Sequence, residues 1–435
     1  MARNIPPRGH RRWPASGGLP SLHRHAERHP AVSSPPSNRA VMMVGDMPKP
    51  FGGVSLYCYH VCAELSRRGV AVHFADSEPS DEKILPPLAS YRRVTGRYGR
   101  GTLEVLGSPA VLRSWAALTG TVANELGPRG GLQVLVIAAR VHSVARRVGP
   151  ERILVHHAGV RGLAAVVAGR ALGIPVTVLV HGAEWASPRW NRRRLAAVVA
   201  QRADRVIANS DYTRQLCQSG SGRTDVEVAF PGVDHERFRP RRDQMGRQHD
   251  EPVVLFVGAM HRRKGADVLA RAIPLLGDVP ARFRFAGPAG SLDEEVRSIV
   301  AGAGIGERVE FLGELTFDEV APTMAAADVL VFPTVWGTEG FGMVAAEAMA
   351  CGVPVVGSRI GAIPEVVLDG RTGLLFEPGE AGDLAARLRI LLENPTLRCR
   401  FGALAAEHAG RYTWDRLVDA LVGEEPAPLG VSPGC

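Results

Sequence analysis

Short runs of β-branched and apolar residues alternate along this chain with longer stretches whose apolar positions recur at helical spacing. Ala40–Gly45 reads as a buried strand, and 52–68 places Leu56, Cys58, Val61, Cys62 and Leu65 on one side of a helix. The pattern predicts a strand at 70–75, no regular element over 76–107, a helix at 108–126, and strands at 132–137 and 152–156. It continues with helix 160–172, strand 175–181, helix 188–202, strand 205–208, helix 212–218 and strand 226–230. Residues 234–252 are polar and irregular, and the alternation then restarts. Strands are expected at 253–257, 282–286, 309–312, 329–332, 353–356 and 373–376. Helices are expected at 266–276, 292–303, 317–326, 341–350, 381–393 and 395–409. A last amphipathic segment, 413–422, stands apart and is expected to cross back over the first half.

Strands separated by helices imply right-handed βαβ units and parallel sheets. The pattern thus predicts an α/β protein of two Rossmann-like domains, over 40–240 and 251–410. A crossover helix at 411–424 follows, and a basic disordered tail (1–39) and a short end (425–435) flank the whole. Such sheets bind ligands at the carboxyl ends of their strands, so a site is expected in the cleft between the domains.

Composition narrows the class. At 435 residues, 45% hydrophobic and 22% charged, the chain is neither disordered nor a disulfide miniprotein. Its longest apolar stretch, 163–180, is broken by Arg170, Gly173 and Pro175, short of the roughly 20 residues a membrane helix needs. The N-terminus has arginines but no apolar run behind them, so no secretory or twin-arginine signal is expected. Six scattered cysteines show no zinc spacing and suit a reducing cytoplasm. The formal charge of +8 suggests nucleic acid or membrane at first sight. However, residues 1–40 hold seven arginines against the single acid Glu27, a net +6. The body of the chain is nearly neutral and has no basic face with interleaved aromatics, which argues against nucleic acid. The tail itself offers peripheral contact with anionic lipid, or is simply solvated.

Candidate chemistry concentrates at 333–357, PTVWGTEGFGMVAAEAMACGVPVVG. A buried strand ends at Pro333, a loop carries Glu339, and Gly340-Phe341-Gly342 opens a helix containing Glu347. Glycines allow close approach of the backbone to a ligand, and the first N–H groups of a helix favour phosphate. Glu339 can accept hydrogen bonds from hydroxyls beside that phosphate. Glu347 lies in an otherwise almost wholly apolar helix, where a carboxylate needs a partner; facing the cleft, it can accept from a ribose diol.

The Glu-x7-Glu spacing in EGFGMVAAEAMACGVPVV resembles the donor-site motif of retaining glycosyltransferases of family 4, which have the GT-B fold. In order along the chain, FGGVSLYCYHVCAELSRRGV, VTVLVHGAEW, ADRVIANSDYT, VAFPGVDHERFRP, FVGAMHRRKGADVLARAI and GAIPEVVLDGRTGLLFEPGE resemble the same family. The resemblance covers about 40–422. It implies transfer of a hexosyl-type sugar from a nucleotide-diphosphate sugar to an acceptor hydroxyl, with retention of configuration, no metal and no other cofactor. It gives Gly52 and Gly53 to the diphosphate, His181 to the donor sugar, and Lys264 to neutralisation of the diphosphate. Lys264 is one of only three lysines among 52 basic residues. Glu339 would take sugar hydroxyls, the N–H groups of Phe341 and Gly342 sugar and phosphate, and Glu347 the ribose. The family often has an arginine where this chain has Ala259, so Arg262 or Arg263 is expected to supply the second cation. Glu339, His181 and Lys264 are thus the expected catalytic group.

The acceptor, a small molecule, glycan or lipid, is expected to meet loops 76–107, 138–147 and 183–192, whose sequence does not decode. Trp185, Trp190 and Arg189 read equally as pocket lining or packing. The alternatives are a phosphorylase of similar fold using inorganic phosphate and a catalytically silent sugar-nucleotide binder; the intact Glu339, Glu347, Lys264 and His181 weigh against the second. The expected location is the cytoplasm, with peripheral contact at the inner membrane face through the tail.

Overall fold

The computed structural model describes residues 39–46, 53–76, 85–94, 108–117, 119–186, 190–240 and 251–423. The tails expected at 1–39 and 425–435 therefore lie almost wholly outside the described residues, as does Gly52. The chain forms two parallel sheets, each covered on both faces by helices.

The first sheet comprises β1 (Ala40–Gly45), β2 (Ala71–Asp76), β3 (Ser90–Arg93), β4 (Arg152–His156), β5 (Val176–Val180), β6 (Arg205–Ala208) and β7 (Val226–Val228). Their order is β3-β2-β1-β4-β5-β6-β7. The helices of this half are α1 (Gly53–Arg67), α2 (Pro109–Ala116), α3 (Thr119–Val148), α4 (Val160–Leu172), α5 (Trp190–Arg202) and α6 (Asp211–Ser221). The second sheet comprises β8 (Val253–Val257), β9 (Arg282–Ala286), β10 (Val309–Gly313), β11 (Val329–Phe332), β12 (Val355–Ser358) and β13 (Gly373–Phe376), in the order β10-β9-β8-β11-β12-β13. Its helices are α7 (Ala266–Ala272), α8 (Asp293–Gly302), α9 (Phe317–Ala325), α10 (Met343–Ala350), α11 (Ile363–Val366), α12 (Ala381–Leu392) and α13 (Pro395–Ala409). The final helix, α14 (Trp414–Val422), buries Leu417, Val418 and Leu421 in the core cluster of the first half, with Tyr57, Val61 and Leu65 of α1.

Two expectations fail in the first half. The run at 132–137 is not a strand but the middle of α3. Val134, Ile137, Ala138, Val141 and Ala145 are all buried, at spacings of three and four that belong to a helix. β1 pairs directly with β4, leaving no place for a strand between them. The helix expected at 108–126 is instead α2 followed by the start of α3, which itself bends at Gly127 before Pro128. Conversely, 76–107 contains β3, a four-residue edge strand (SYRR) with no apolar alternation to announce it. In the second half the helix expected at 266–276 changes at Ile273 to a 3₁₀ turn.

In each sheet the strand order reverses once, between β1 and β4 and between β8 and β11. Ligands bind at such switch points, where loops diverge to either side and leave a crevice. Asp46, just past β1, and the loop carrying His157 flank the first, and the loops carrying Lys264 and Glu339 flank the second. No helix among the described residues is long and apolar enough to cross a membrane.

Candidate active site

Lys264 closes a 3₁₀ turn, Arg262–Lys264, between β8 and α7. Its ammonium donates to Glu339 Oε2 at 2.7 Å, and the two side chains are only 19% and 17% exposed. The face of Phe332, at the end of β11, lies 5.5 Å from Nζ. Arg263 comes to the same carboxylate, with Nη1 3.6 Å from Oε2. Arg262 instead pairs with Glu295 at 3.1 Å on the surface and is 62% exposed. Of the two arginines considered as substitutes at Ala259, only Arg263 joins Lys264.

Behind Glu339, Gly342 caps α10 with φ 95°, a conformation costly for any residue with a Cβ. The first N–H groups of α10 have no intrahelical acceptor. The Phe341 ring points away into the core, where Tyr412 meets it edge-on at 5.0 Å. Its contribution here is therefore its backbone. Glu347, one turn into α10, feels the charge of the Arg237 guanidinium, yet no hydrogen bond reaches its carboxylate among the described residues. Burial pushes its pKa up to about 7, partly offset by the charge of Arg237 and reinforced by Asp234.

Across the cleft stands His181, just past β5. Both Glu184 oxygens accept from its backbone N–H at 3.2 Å. Its ring lies 4.2 Å from that of His156 and 5.1 Å from Tyr57. Burial holds His181 down at about 4, so the ring is neutral at pH 7. Its Nδ1 faces the Asn209 amide at 3.5 Å, and Nε2 is buried without a partner. The two halves touch here. A Cβ on Gly340 would stand 1.9 Å from the His181 carbonyl oxygen. Tyr212 donates to the Gly337 carbonyl at 2.8 Å, and Thr213 to that of Gly340 at 3.4 Å. The Glu339 loop and the His181 loop therefore form opposing walls of one cleft. Gly53 opens α1 above it.

Three residues in this arrangement were not singled out from the sequence. Glu365 in α11 accepts from the backbone N–H groups of Asp211 and Tyr212 at 2.8 and 2.5 Å, capping α6 of the opposite domain. Asp234 and Arg237, read as part of a polar connection, line a cleft with Glu347. The signal for them lay in VAFPGVDHERFRP, but nothing local distinguishes these charges from solvated ones. Trp185 is buried against Gly220, a packing role, and Arg189 lies outside the described residues.

Two family models match the halves separately. Residues 51–237 match Glycosyltransferase Family 4, and 251–394 match Glycosyl transferases group 1. A D-inositol 3-phosphate glycosyltransferase of Geodermatophilus obscurus is 31% identical over 402 residues, covering 85% of this chain and 84% of that protein. The chain belongs to glycosyltransferase family 4. A second D-inositol 3-phosphate glycosyltransferase, from Arthrobacter sp. (strain FB24), is 28% identical, with coverage of 88% and 94%. Among solved structures, sucrose-phosphate synthase from Thermosynechococcus elongatus superimposes with a TM-score of 0.68 at 21% identity, covering 88% of this chain and 98% of that one. Anabaena HepE in complex with UDP-glucose gives 0.68 at 20%, covering 88% and 99%. This family 4 enzyme thus has the GT-B fold, and it is a glycosyltransferase.

Proposed function

We propose that this family 4 enzyme is a retaining hexosyltransferase that uses a nucleotide-diphosphate sugar and needs no metal. The observation that carries the reading is the convergence of Lys264 and Arg263 on Glu339, before the N-terminus of α10 and facing His181. With donor present, the two cations and the helix N-terminus turn to the diphosphate, and Glu339 is released to accept from sugar hydroxyls. Charge builds on the diphosphate as the anomeric C–O bond breaks, and fixed positive groups lower that barrier. The acceptor oxygen bonds to the anomeric carbon from the same face. Its proton passes to the departing phosphate oxygen, so no protein base and no covalent sugar–Glu339 bond is required. His181, neutral, offers its unpartnered Nε2 to a sugar hydroxyl. Closure of the two walls excludes water and so suppresses hydrolysis of the donor.

The names of the relatives make D-inositol 3-phosphate the first acceptor to test, and the solved HepE complexes make UDP-glucose the first donor. The experiment is a thermal-shift screen against UDP, GDP, ADP and TDP sugars, followed by product analysis with the stabilising donor. An α-linked product from an α-linked donor, formed in EDTA and with inorganic phosphate unable to replace the nucleotide, is expected. An inverted product, or one dependent on phosphate alone, overturns the reading.

A further inference from the structure

The recess around Glu347 holds charged groups to which no role has yet been given. It is small and open to solvent, lined by Tyr57 and His60 of α1, Asp234 and Arg237, Glu347 of α10, and Trp414 of α14. Its polar groups are incompletely satisfied by the protein. The Glu347 carboxylate has no hydrogen bond among the described residues. Arg237 Nη2 is buried without a partner, while its guanidinium plane lies 3.2 Å over the Phe317 ring at the start of α9. Asp234 uses Oδ1 to hold the turn, accepting from the N–H groups of Glu236 and Arg237 at 3.2 Å, and Oδ2 makes no bond among the described residues. Buried polar groups are ordinarily paired; Arg237 Nη2 is not, and with the open oxygens of the partly exposed Asp234 and Glu347 around the same space it marks a site for a ligand.

The charges say which ligand. Two carboxylates face one guanidinium. His60, stacked on Trp414 at 4.6 Å, adds no cation at neutral pH, because burial holds it down at about 4. Two carboxyl groups beside one guanidinium suit a group that donates to the first and accepts from the second, above all a vicinal diol. The geometry points to Asp234 as a second ribose-binding carboxylate beside Glu347, with the Arg237 guanidinium, stacked on Phe317, lining the same space. This rests on the assignment of Glu347 to the donor ribose and extends it. Asp234 follows the last strand of the first sheet, but its neighbours Val233 and Phe238 pack in the core of the second half with Phe341 and Met349, so it stands on the same side as Glu347.

The test uses the full chain and calorimetric titration of UDP, GDP and ADP, each against its 2′,3′-dideoxy counterpart. The tightest-binding pair is the one read. Wild type should lose affinity about 100-fold without the two hydroxyls, roughly tenfold for each hydrogen bond to a charged group. Asp234→Ser keeps an acceptor for the turn but deletes the second oxygen, and should cut that penalty about tenfold. If this variant melts early, Asp234→Asn, which keeps the turn and replaces Oδ2 by a donor, should also show a smaller penalty. Glu347→Gln should cut the penalty as well. An unchanged penalty in folded Asp234 variants, with Glu347→Gln reduced, overturns this proposal alone. An unchanged penalty in Glu347→Gln, or no binding by any of the three nucleotides, overturns the ribose assignment beneath it.

Discussion

The bond between Lys264 and Glu339 joins loops 75 residues apart in sequence. It neutralises both charges and holds them in place; in the proposed reaction a donor divides them between diphosphate and sugar. Glu339→Gln and Lys264→Ala should each lower kcat at least about 100-fold with unchanged circular dichroism. Glu347 gives a pH signature. Its folded pKa, near 7, stands above that of an ordinary carboxyl because burial disfavours the charge. Between the ordinary value and 7 the native state holds a proton that the unfolded chain has lost. Its contribution to stability therefore falls as pH rises through that window. Ribose hydroxyls bond best to the carboxylate form, so nucleotide affinity should rise from pH 6 to 8, and Glu347→Gln should flatten that rise. Asp234, Arg237 and His60 face the same group, and His60 stays neutral throughout the range. Glu339, Glu347 and Lys264 were legible in sequence because a glycine-flanked helix start, an acid in an apolar helix and a rare lysine are local signals. Asp234, Arg237 and Glu365 were not, because their meaning comes from partners on other elements.

Strand ends deliver these residues, and most of the strands were legible from their β-branched runs. Arg152–His156, Arg205–Ala208, Val253–Val257, Arg282–Ala286, Val329–Phe332 and Gly373–Phe376 fall where the pattern puts them. The six-residue apolar run at 132–137 misleads because a short run fits either period; only burial over the following two turns of α3 decides for helix. β3 escapes for the opposite reason: an edge strand with little to bury carries no pattern. The contact between the His181 and Gly340 loops gives a prediction at this scale. A Cβ at position 340 would stand 1.9 Å from the His181 oxygen. Gly340→Ala should therefore hold the walls apart, lowering kcat more than tenfold and enlarging the radius of gyration in small-angle scattering, while the second domain remains folded.

At the scale of the molecule, α14 ties the end of the chain back to its beginning. Arg68 donates to Glu64 at 2.7 Å, to Asp419 at 2.5 Å and to the Asp415 carbonyl at 2.8 Å, and Arg67 donates to Asp415 at 2.5 Å. Arg68 is only 21% exposed, so its removal strands partly buried acids. Arg68→Ala should lower the melting temperature by several degrees, about 1–3 kcal/mol, without changing the nucleotide preference. The +8 formal charge was the least informative global number, since most of it lies in the first 40 residues. The charge that matters is local, at Arg263 and Lys264. The most direct test of the account is therefore release of nucleoside diphosphate from the stabilising nucleotide-sugar, with acceptor present, by wild type and by Lys264→Ala. Wild type should turn over and a folded Lys264→Ala almost not at all; full activity in that variant would contradict the placement of Lys264 on the diphosphate.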